Sequence, residues 1–287
     1  MNLVKTLENV KKENSSIAIA VEGGGLRSVA SAAMLNIFAQ KNMSDQVKAI
    51  SGTSSGAINA AYFLTGQMPL LLNLYQTMAS PKFLQPWRWP DAMNLNFLFE
   101  EQIKKTFPLN LAKVLRHPTP FYISVTDTES GAGSFILAQD CKTEDELFRA
   151  LRASASAPLA CTNMETIGDK KYNDGHVQLS IPFEAISPEK FDHTFCLLTQ
   201  KKGYRKKASV SGDFYTRLTL RHMSSRYLRS FLQASTVYNQ QLETIFASSR
   251  WTPVYLESED FLVSKVCWNP NDVRKCIESV NAKFLKP

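Results

Sequence analysis

The amino-acid sequence predicts an α/β fold of three layers, in which helices cover both faces of a mostly parallel central sheet, with a helical elaboration at the C-terminal end. In the first half, short apolar segments alternate with helical patterns, as in parallel strands joined by crossover helices. The 287 residues suffice for one large domain. We expect an N-terminal helix over 1–15, a central domain over 16–200 and a basic helical region over 201–287 that packs on the same domain.

The predicted elements follow one another closely at the start of the chain. SIAIAVE (16–22) is typical of a buried strand, and a helical pattern follows over about 26–40. VKAIS (47–51) predicts the next strand, and a helix follows over about 55–65. The segment 81–99 interrupts this order with three prolines and five aromatic residues.

The later elements are assigned from the same periodicities. They are the adjacent strands FYISVTD and GSFILAQ, the helix TEDELFRALRASAS, the strands HTFCLLTQ and WTPVYLES, and a final helix over about 271–285. The longest helical pattern spans about 213–248. Its apolar residues fall on one arc, which favours a helix packed on its own core over one lying on a bilayer. The members of this arc are Leu220, Met223, Tyr227, Phe231, Ala234, Tyr238, Leu242 and Ile245.

Charge and cysteine content narrow the choice of partners. Residues 201–230 carry nine basic residues against Asp213 alone, so this segment exceeds the net charge of +7 of the whole chain. The patch suggests an anionic neighbour, and peripheral contact with an anionic membrane is one candidate, with solvated charge as the alternative.

Five cysteines without CxxC spacing favour buried free thiols over disulfides or a zinc site. We expect a cytoplasmic protein without metal or cofactor.

The second strand-to-helix turn contains a candidate nucleophile. Gly52, Ser54 and Gly56 spell GxSxG between an apolar strand and a helix. In this motif the serine sits on a sharp turn that raises its hydroxyl above the sheet, and the glycines leave room for the turn. The alternative is an ordinary turn that opens a helix.

The first strand-to-helix turn contains three consecutive glycines, Gly23, Gly24 and Gly25. If the first two strands are parallel neighbours, both turns meet at the same edge of the sheet. The glycine amides would then stabilise the oxyanion formed when Ser54 attacks an acyl group. A phosphate-binding turn is the alternative, although no GK[ST] follows and the spacing does not fit GxGxxG.

Either a carboxylate or a histidine could act as the general base that accepts the proton of Ser54. Asp174 stands in YNDGHVQLSIP, on a turn after a short strand-like segment, and a partly desolvated carboxylate can accept the proton directly. A plain hairpin turn is the alternative explanation for Asp174-Gly175. An α/β-hydrolase would instead use a histidine, and the chain has His117, His176, His193 and His222.

Taken together, these motifs resemble the patatin-like phospholipase family over about residues 16–200. GGGLRS resembles its GGGxRG anion-hole turn, GTSSG its nucleophile elbow, and NDGH its DGG or DGA turn. LRASASAPL (151–159) is similar to its ASxAxP segment, and TDTESG (126–131) to the strand pair that precedes it. The basic, helical C-terminal third resembles the compact bacterial members.

The resemblance implies a patatin-like catalytic domain with a Ser-Asp dyad, in which Ser54 attacks a lipid ester and Asp174 accepts its proton. It also implies that Arg27 holds the glycine turn or meets an anionic headgroup, with an ordinary ion pair at the helix start as the alternative. Ser28 and His176 depart from the pattern, because each replaces a small residue.

Three functions from different classes follow from these observations. The first is a serine acyl hydrolase acting on phospholipid, lysophospholipid or other lipid esters. The second is a catalytically weak patatin fold that binds lipid or protein, and the third is an esterase that uses a histidine. Nucleic-acid binding is the least supported, and we expect none. Aromatic residues of 81–99 are expected to line the acyl site in part, namely Phe83, Trp87, Trp89, Phe97 and Phe99.

Overall fold

Eight strands form one mixed sheet in the computed structural model, which describes residues 3–207 and 210–285. Met1 and Asn2 of the predicted first helix, and 208–209 and 286–287 of the predicted basic region, lie outside the described residues. The strands are β1 (Ile17–Val21), β2 (Val47–Thr53), β3 (Phe121–Asp127), β4 (Gly133–Leu137), β5 (Glu165–Ile167), β6 (Lys170–Asp174), β7 (His193–Lys201) and β8 (Trp251–Leu256).

Helices account for most of the remaining regular structure that is described. They are α1 (Leu3–Glu13), α2 (Val29–Gln40), α3 (Ser55–Leu64), α4 (Met68–Met78), α5 (Leu111–Leu115), α6 (Glu144–Ala155), α7 (Val210–Thr219), α8 (Ser225–Ala247) and α9 (Pro270–Phe284). A π-helical segment, Phe97–Thr106, lies between α4 and α5. No helix of the described chain combines the length and apolarity needed to cross a bilayer.

The sheet has the order β5-β6-β3-β2-β1-β7-β8, and β4 pairs with β3 outside this path. The strands β3, β2, β1, β7 and β8 run parallel to one another, while β4, β5 and β6 pair antiparallel. The predicted, mostly parallel sheet is therefore confirmed. Because β8 pairs with β7, the sheet crosses the expected boundary at residue 200, and that boundary stays a prediction.

The alternation of side chains in β1 explains the three layers. Ile17, Ile19 and Val21 pack with α2, α3 and α9 on one face, whereas Ala18 and Ala20 pack with α8 on the other. Every residue of β1 is buried, as expected of a central parallel strand covered on both faces. The fold is thus the predicted α/β/α arrangement.

The predicted helix over 213–248 is divided in two. α7 ends at Thr219, and Ser224 begins α8 by accepting a hydrogen bond on its Oγ from the amide of Tyr227 at 3.0 Å. Within α8, Tyr238, Leu242 and Ile245 are buried in the core, which confirms that this stripe faces inward. The five cysteines are free and buried, also as expected.

Candidate active site

The two predicted strand-to-helix turns lie side by side. β1 pairs with β2 so that Val21 lies opposite Gly52, and the turns that follow meet at the carboxyl edge of the sheet. Gly23 approaches the second turn so closely that an added Cβ would lie 2.5 Å from the carbonyl oxygen of Thr53 and 2.9 Å from Cβ of Ser54. A side chain at position 23 would therefore separate the glycine turn from Ser54.

Ser54 occupies a strained turn. Its φ of 57° and ψ of −130° are unfavourable for a residue with a side chain, and it is the N-cap of α3. Gly52 packs against the backbone of Ala57, with 2.5 Å between an added Cβ and its Cα, and Gly56 packs against the carbonyl oxygen of Val21. Both flanking glycines thus allow the close packing that holds the serine in this conformation.

Hydrogen bonds fix the glycine turn from behind. The amide of Gly24 donates to Oγ of Ser55 at 3.1 Å, and that hydroxyl donates to Oγ of Ser28 at 2.8 Å. Ser28 departs from the family pattern, but its buried side chain helps to hold this turn through Ser55. Gly25 has a φ of 60°, which favours glycine. In the described chain, hydrogen bonds leave the amides of Gly23 and Gly25 available, whereas that of Gly24 is occupied.

Asp174 ends β6 and is almost fully buried. Its Oδ1 accepts a hydrogen bond from the amide of His176 at 2.9 Å, and Nδ1 of His176 lies 3.2 Å from the same oxygen. Gly175 packs directly against Ser124 of β3, where a side chain would not fit. The imidazole of His176 thus contacts the candidate base and is partly exposed, and it is nearly perpendicular to the Phe231 ring.

One segment connects the two candidate catalytic residues. Oγ of Ser154, in the last turn of α6, accepts a hydrogen bond from the amide of Ser54 at 2.8 Å. Two residues later, the carbonyl oxygen of Ser156 accepts one from the amide of Asp174 at 3.2 Å. The sequence resemblance pointed to this segment but did not assign it these contacts.

Two clefts meet at Ser54. One is apolar and is bordered by side chains of α3, α4 and the segment that follows, including Ile58, Leu71, Met78 and Phe83. The other, which we call the polar cleft after the residues that border it, lies against the glycine turn, Asp174, His176 and several charged residues. Ser54, Gly25 and Met93 border both. Ser54 and Asp174 therefore face one cleft, although no hydrogen bond joins their side chains in the described structure.

Of the five aromatic residues expected near the acyl site, Phe83 borders the apolar cleft. Phe97 and Phe99 are buried in the core instead, whereas Trp87 and Trp89 are exposed. The rings belong to one segment of sequence, and a sequence pattern does not show which of them the chain turns inward.

Two charged residues of the polar cleft, Glu22 and Arg27, lie between β1 and α2. Glu22 is buried, and its Oε2 accepts a hydrogen bond from the amide of Thr199 at 2.6 Å. Burial raises the pKa of this carboxyl group, against the opposing effects of that hydrogen bond and of the Arg27 and Lys206 charges. When its amide oxygen faces the guanidinium group, Gln200 accepts two hydrogen bonds from Arg27, at 3.0 and 3.1 Å. A neutral amide thus holds Arg27 at the helix start.

Two lysines of the C-terminal region complete the polar cleft. Nζ of Lys206 lies 3.4 Å from Oγ of Ser180 and 4.0 Å from the ring centre of Tyr238, and burial lowers the pKa of this ammonium group to about 8. Lys265 is an exposed lysine in a loop that covers Gly25, and it borders the same cleft. Sequence reasoning missed Lys265 and Glu22, because residues so far apart in the chain give no common pattern.

The remaining histidines lie elsewhere. His193 begins β7 opposite Ile17, at the amino edge of the sheet, whereas Ser54 follows the carboxyl edge. His222 borders a separate cleft beside Cys161. His117 follows α5 near the start of β3, also at the amino edge, and burial lowers its pKa. Among the histidines, only His176 borders a cleft together with Ser54 in the described part of the chain.

The described residues hold no candidate metal site, and the comparisons with known proteins concern the family of the chain. In residues 3–207 and 210–285, no cluster of histidine, cysteine, aspartate or glutamate could hold a metal ion. A search of curated proteins finds no match. The family model described as Patatin-like phospholipase matches residues 19–186, more than half of the chain, and includes both turns and Asp174. The chain belongs to the patatin-like phospholipase family, whose members are lipid acyl hydrolases.

Proposed function

We propose that the protein is a serine acyl hydrolase that cleaves phospholipid or lysophospholipid esters with a Ser54-Asp174 dyad. The observation that carries this proposal is that three features border one cleft: a strained serine, a buried carboxylate, and a glycine turn with two amides that form no hydrogen bond in the described structure. Ser54 directly follows β2 and Asp174 ends β6, so strands of one sheet position both residues at this cleft. Such an arrangement supplies a nucleophile, a base and anion stabilisation together.

In this mechanism Oγ of Ser54 attacks the ester carbonyl carbon while its proton passes to the Asp174 carboxylate. Amides of the glycine turn, those of Gly23 and Gly25 first, stabilise the negative oxygen of the tetrahedral intermediate. The intermediate collapses to an acyl-serine, and the leaving alcohol takes the proton from Asp174. Water then attacks the acyl group while Asp174 again accepts a proton. The second tetrahedral intermediate collapses as Asp174 returns this proton to Oγ of Ser54, and the fatty acid leaves.

The apolar cleft is the proposed acyl site. It begins at Ser54 and continues between α3 and α4, so an acyl chain bound there places its carbonyl group next to the serine. Its wall includes Leu71, Leu74 and Met78 of α4. Burial of methylene groups against these side chains would contribute about 0.8 kcal/mol for each group.

The contact between His176 and Asp174 favours a second candidate. The imidazole uses Nδ1 toward the carboxylate, so Nε2 would be left for the serine, as in a hydrolase with a histidine base. Alternatively, the same contact holds Asp174 back and leaves a weak enzyme that acts as a lipid- or protein-binding module. Replacing His176 by the small residue of the family pattern separates these candidates from the dyad.

The test is covalent labelling with a fluorophosphonate, followed by peptide mapping and by hydrolysis of a short-chain p-nitrophenyl ester. The dyad predicts a label on Ser54, loss of at least about 1,000-fold in kcat for Ser54→Ala and Asp174→Asn, and retained activity for His176→Gly. Loss in His176→Gly would support the histidine base. Equal rates in wild type and Ser54→Ala would reject the enzyme. Ser44→Ala, an exposed serine at the other edge of the sheet, is the control.

We also propose that residues 201–230 make peripheral contact with an anionic membrane, and the exposed face of α7 supports this contact. Phe214 and Leu218 are 71% and 52% exposed, whereas Thr216 of the same helix is buried, so the apolar face of α7 points outward. Arg217 and Arg221 are exposed beside this face and form no ion pair with another described residue. Exposed rings with neighbouring cations suit the headgroup region of a lipid layer.

A second segment extends this surface toward the cleft. Trp89 lies against Tyr215, with 5.6 Å between ring centres, and Trp87 is 68% exposed. These tryptophans lie in a loop closed by the bridge between Leu84 and Met93, and Met93 borders both clefts at Ser54. A lipid layer that contacts the loop would therefore lie near the cleft entrance.

Vesicle flotation tests this contact. The wild type should bind vesicles that contain phosphatidylglycerol more tightly than vesicles of phosphatidylcholine alone, and the Trp87→Ala/Phe214→Ala variant should bind about tenfold less. The control is Phe246→Ala, an exposed ring near the other end of α8. Equal loss in the control, or no preference for anionic vesicles, would contradict the proposal.

A further inference from the structure

We propose that Lys206 and Lys265 form an anion subsite that binds the phosphate group of the substrate's headgroup. The inference rests on the proposed function, because it assigns the polar cleft next to Ser54 to the headgroup and the apolar cleft to the acyl chain. Both lysines lie beyond residue 186, where the match to the family model ends.

The first argument is the placement of the two cations. Both border the same cleft as Ser54, Asp174 and the glycine turn. The loop of Lys265 lies over the turn, since a Cβ added to Gly25 would be 3.3 Å from the Lys265 carbonyl oxygen. An anion held between the two ammonium groups would thus lie within the cleft that Ser54 faces.

The second argument is that neither lysine is neutralised by a partner. None of the ion pairs between described residues includes Lys206 or Lys265. The ammonium group of Lys206 has a hydroxyl and an aromatic ring as its neighbours, which do not replace a carboxylate. Charges removed from water are normally paired, so the unpaired ammonium group of the half-buried Lys206 indicates a ligand that supplies the negative charge. Lys265 is more exposed and adds a second unpaired cation at the border of the same cleft.

The third argument comes from the groups that surround the pair. The two lysines repel each other, and each also experiences the positive charge of Arg27. Glu22 and Asp174 oppose this repulsion, but the hydrogen bond from Thr199 holds Glu22 and the contacts with His176 hold Asp174. A phosphate diester carries one negative charge and several acceptor oxygens, which matches two donors of this kind.

The chemistry of the two clefts then gives a specificity. An ester with a phosphate-bearing headgroup would occupy both clefts, whereas a neutral glyceride would leave the two ammonium groups without a counter-charge. We therefore expect the protein to prefer phospholipids over neutral esters of the same acyl chains, and this preference to depend on the lysines.

Binding is measured first, on the Ser54→Ala protein, so that the result does not depend on activity. Glycerol 3-phosphate is the probe for a headgroup, inorganic phosphate the probe for a free anion, and glycerol the neutral probe. We expect glycerol 3-phosphate to bind, glycerol not to bind, and Lys206→Met and Lys265→Met each to weaken binding by about tenfold or more. Equal affinity for inorganic phosphate and glycerol 3-phosphate would overturn the headgroup assignment in favour of a free-phosphate site.

Hydrolysis is measured second, with phosphatidylglycerol and diacylglycerol of the same acyl chains in mixed detergent micelles. Each lysine variant should lose about tenfold in kcat/KM on the phospholipid and stay within about twofold on the neutral ester. Lys207→Met is the matched control, because it removes the same charge from an exposed neighbouring position outside the cleft.

The outcomes separate the two proposals. Failure of fluorophosphonate to label Ser54 rejects the proposed function, while the binding measurement still tests the subsite. If the lysine variants lose activity equally on both substrates, or bind glycerol 3-phosphate as the parent does, the subsite is rejected and the acyl hydrolase remains. An equal loss in Lys207→Met would show that surface charge, and not the subsite, causes the preference.

Discussion

At the scale of single residues, the amide of Ser54 depends on one buried hydroxyl. Oγ of Ser154 is the acceptor for this amide, and Ser154 is fully buried. A donor left without its acceptor in a buried turn costs about 1–3 kcal/mol. Because Ser54 already has an unfavourable φ, the loss of this contact would let the turn relax and move the hydroxyl.

We therefore expect Ser154→Ala to lower kcat by about 10- to 100-fold and the unfolding free energy by about 1–3 kcal/mol. Ser156→Ala is the matched control: its side chain donates to the carbonyl of Arg152, and the carbonyl that holds Asp174 stays in place. Ester hydrolysis and urea unfolding of both variants check this prediction. Equal kcat values for the two variants would contradict the positioning role of Ser154.

At the scale of elements, the sequence predicted most strands and helices, because apolar alternation and helical periodicity are local. β1, α3, α6 and α9 lie within a few residues of their expected positions. The prediction of a single helix over 213–248 was wrong. It was made because the arc of apolar residues continues across the break between α7 and α8 at 220–224. Ser224 was the available signal, because a serine that caps a helix marks a new start.

The cap of α6 gives a test at this scale. Oγ of Thr143 accepts a hydrogen bond from the amide of Glu146 at 3.1 Å, so Thr143→Ala should lower the unfolding free energy by about 1 kcal/mol. Activity should persist, because Ser154 lies at the opposite end of the helix. Thr166→Ala, an exposed threonine whose side chain forms no hydrogen bond with a described residue, is the control for urea unfolding. An equal change in both variants would contradict the capping role.

At the scale of the whole molecule, the site depends on residues that the sequence could not connect. The turns of Gly23 and Ser54 could be placed together, because neighbouring parallel strands end at one edge. The approach of Lys206 and Lys265 depends on how the C-terminal region folds over the cleft, and no local pattern encodes it. The same holds for the outward apolar face of α7.

Lys206 also affects the stability of the molecule as a function of pH. Its pKa is about 8 in the folded protein, below the 10.5 of an exposed lysine, so the folded state holds fewer protons than the unfolded state between these values. The contribution of Lys206 to the unfolding free energy therefore rises with pH through this interval. The groups that face Lys206 are Glu22, Arg27, Asp174, Lys265, Ser180 and the ring of Tyr238.

We expect Lys206→Met to be more stable than the wild type at pH 7, by about 1–3 kcal/mol, and this advantage to shrink as the pH approaches 10.5. Urea unfolding of both proteins across this interval checks the prediction. A constant difference at every pH would show that Lys206 does not carry the shift. If Lys206→Met is more stable but prefers phospholipid over neutral ester less strongly than the wild type, Lys206 serves function at a cost in stability.

The pairing of β1 with β7 has a practical consequence for anyone who expresses the family segment alone. A truncated product that stops at residue 186 lacks β7, whose residues His193 to Leu197 pair one by one with Ile17 to Val21. The buried, apolar strand β1 would then have an unpaired edge, with which other copies of the fragment could pair. We expect inclusion bodies from this fragment and recovery of the full-length chain in the supernatant, as centrifugation of parallel lysates would reveal.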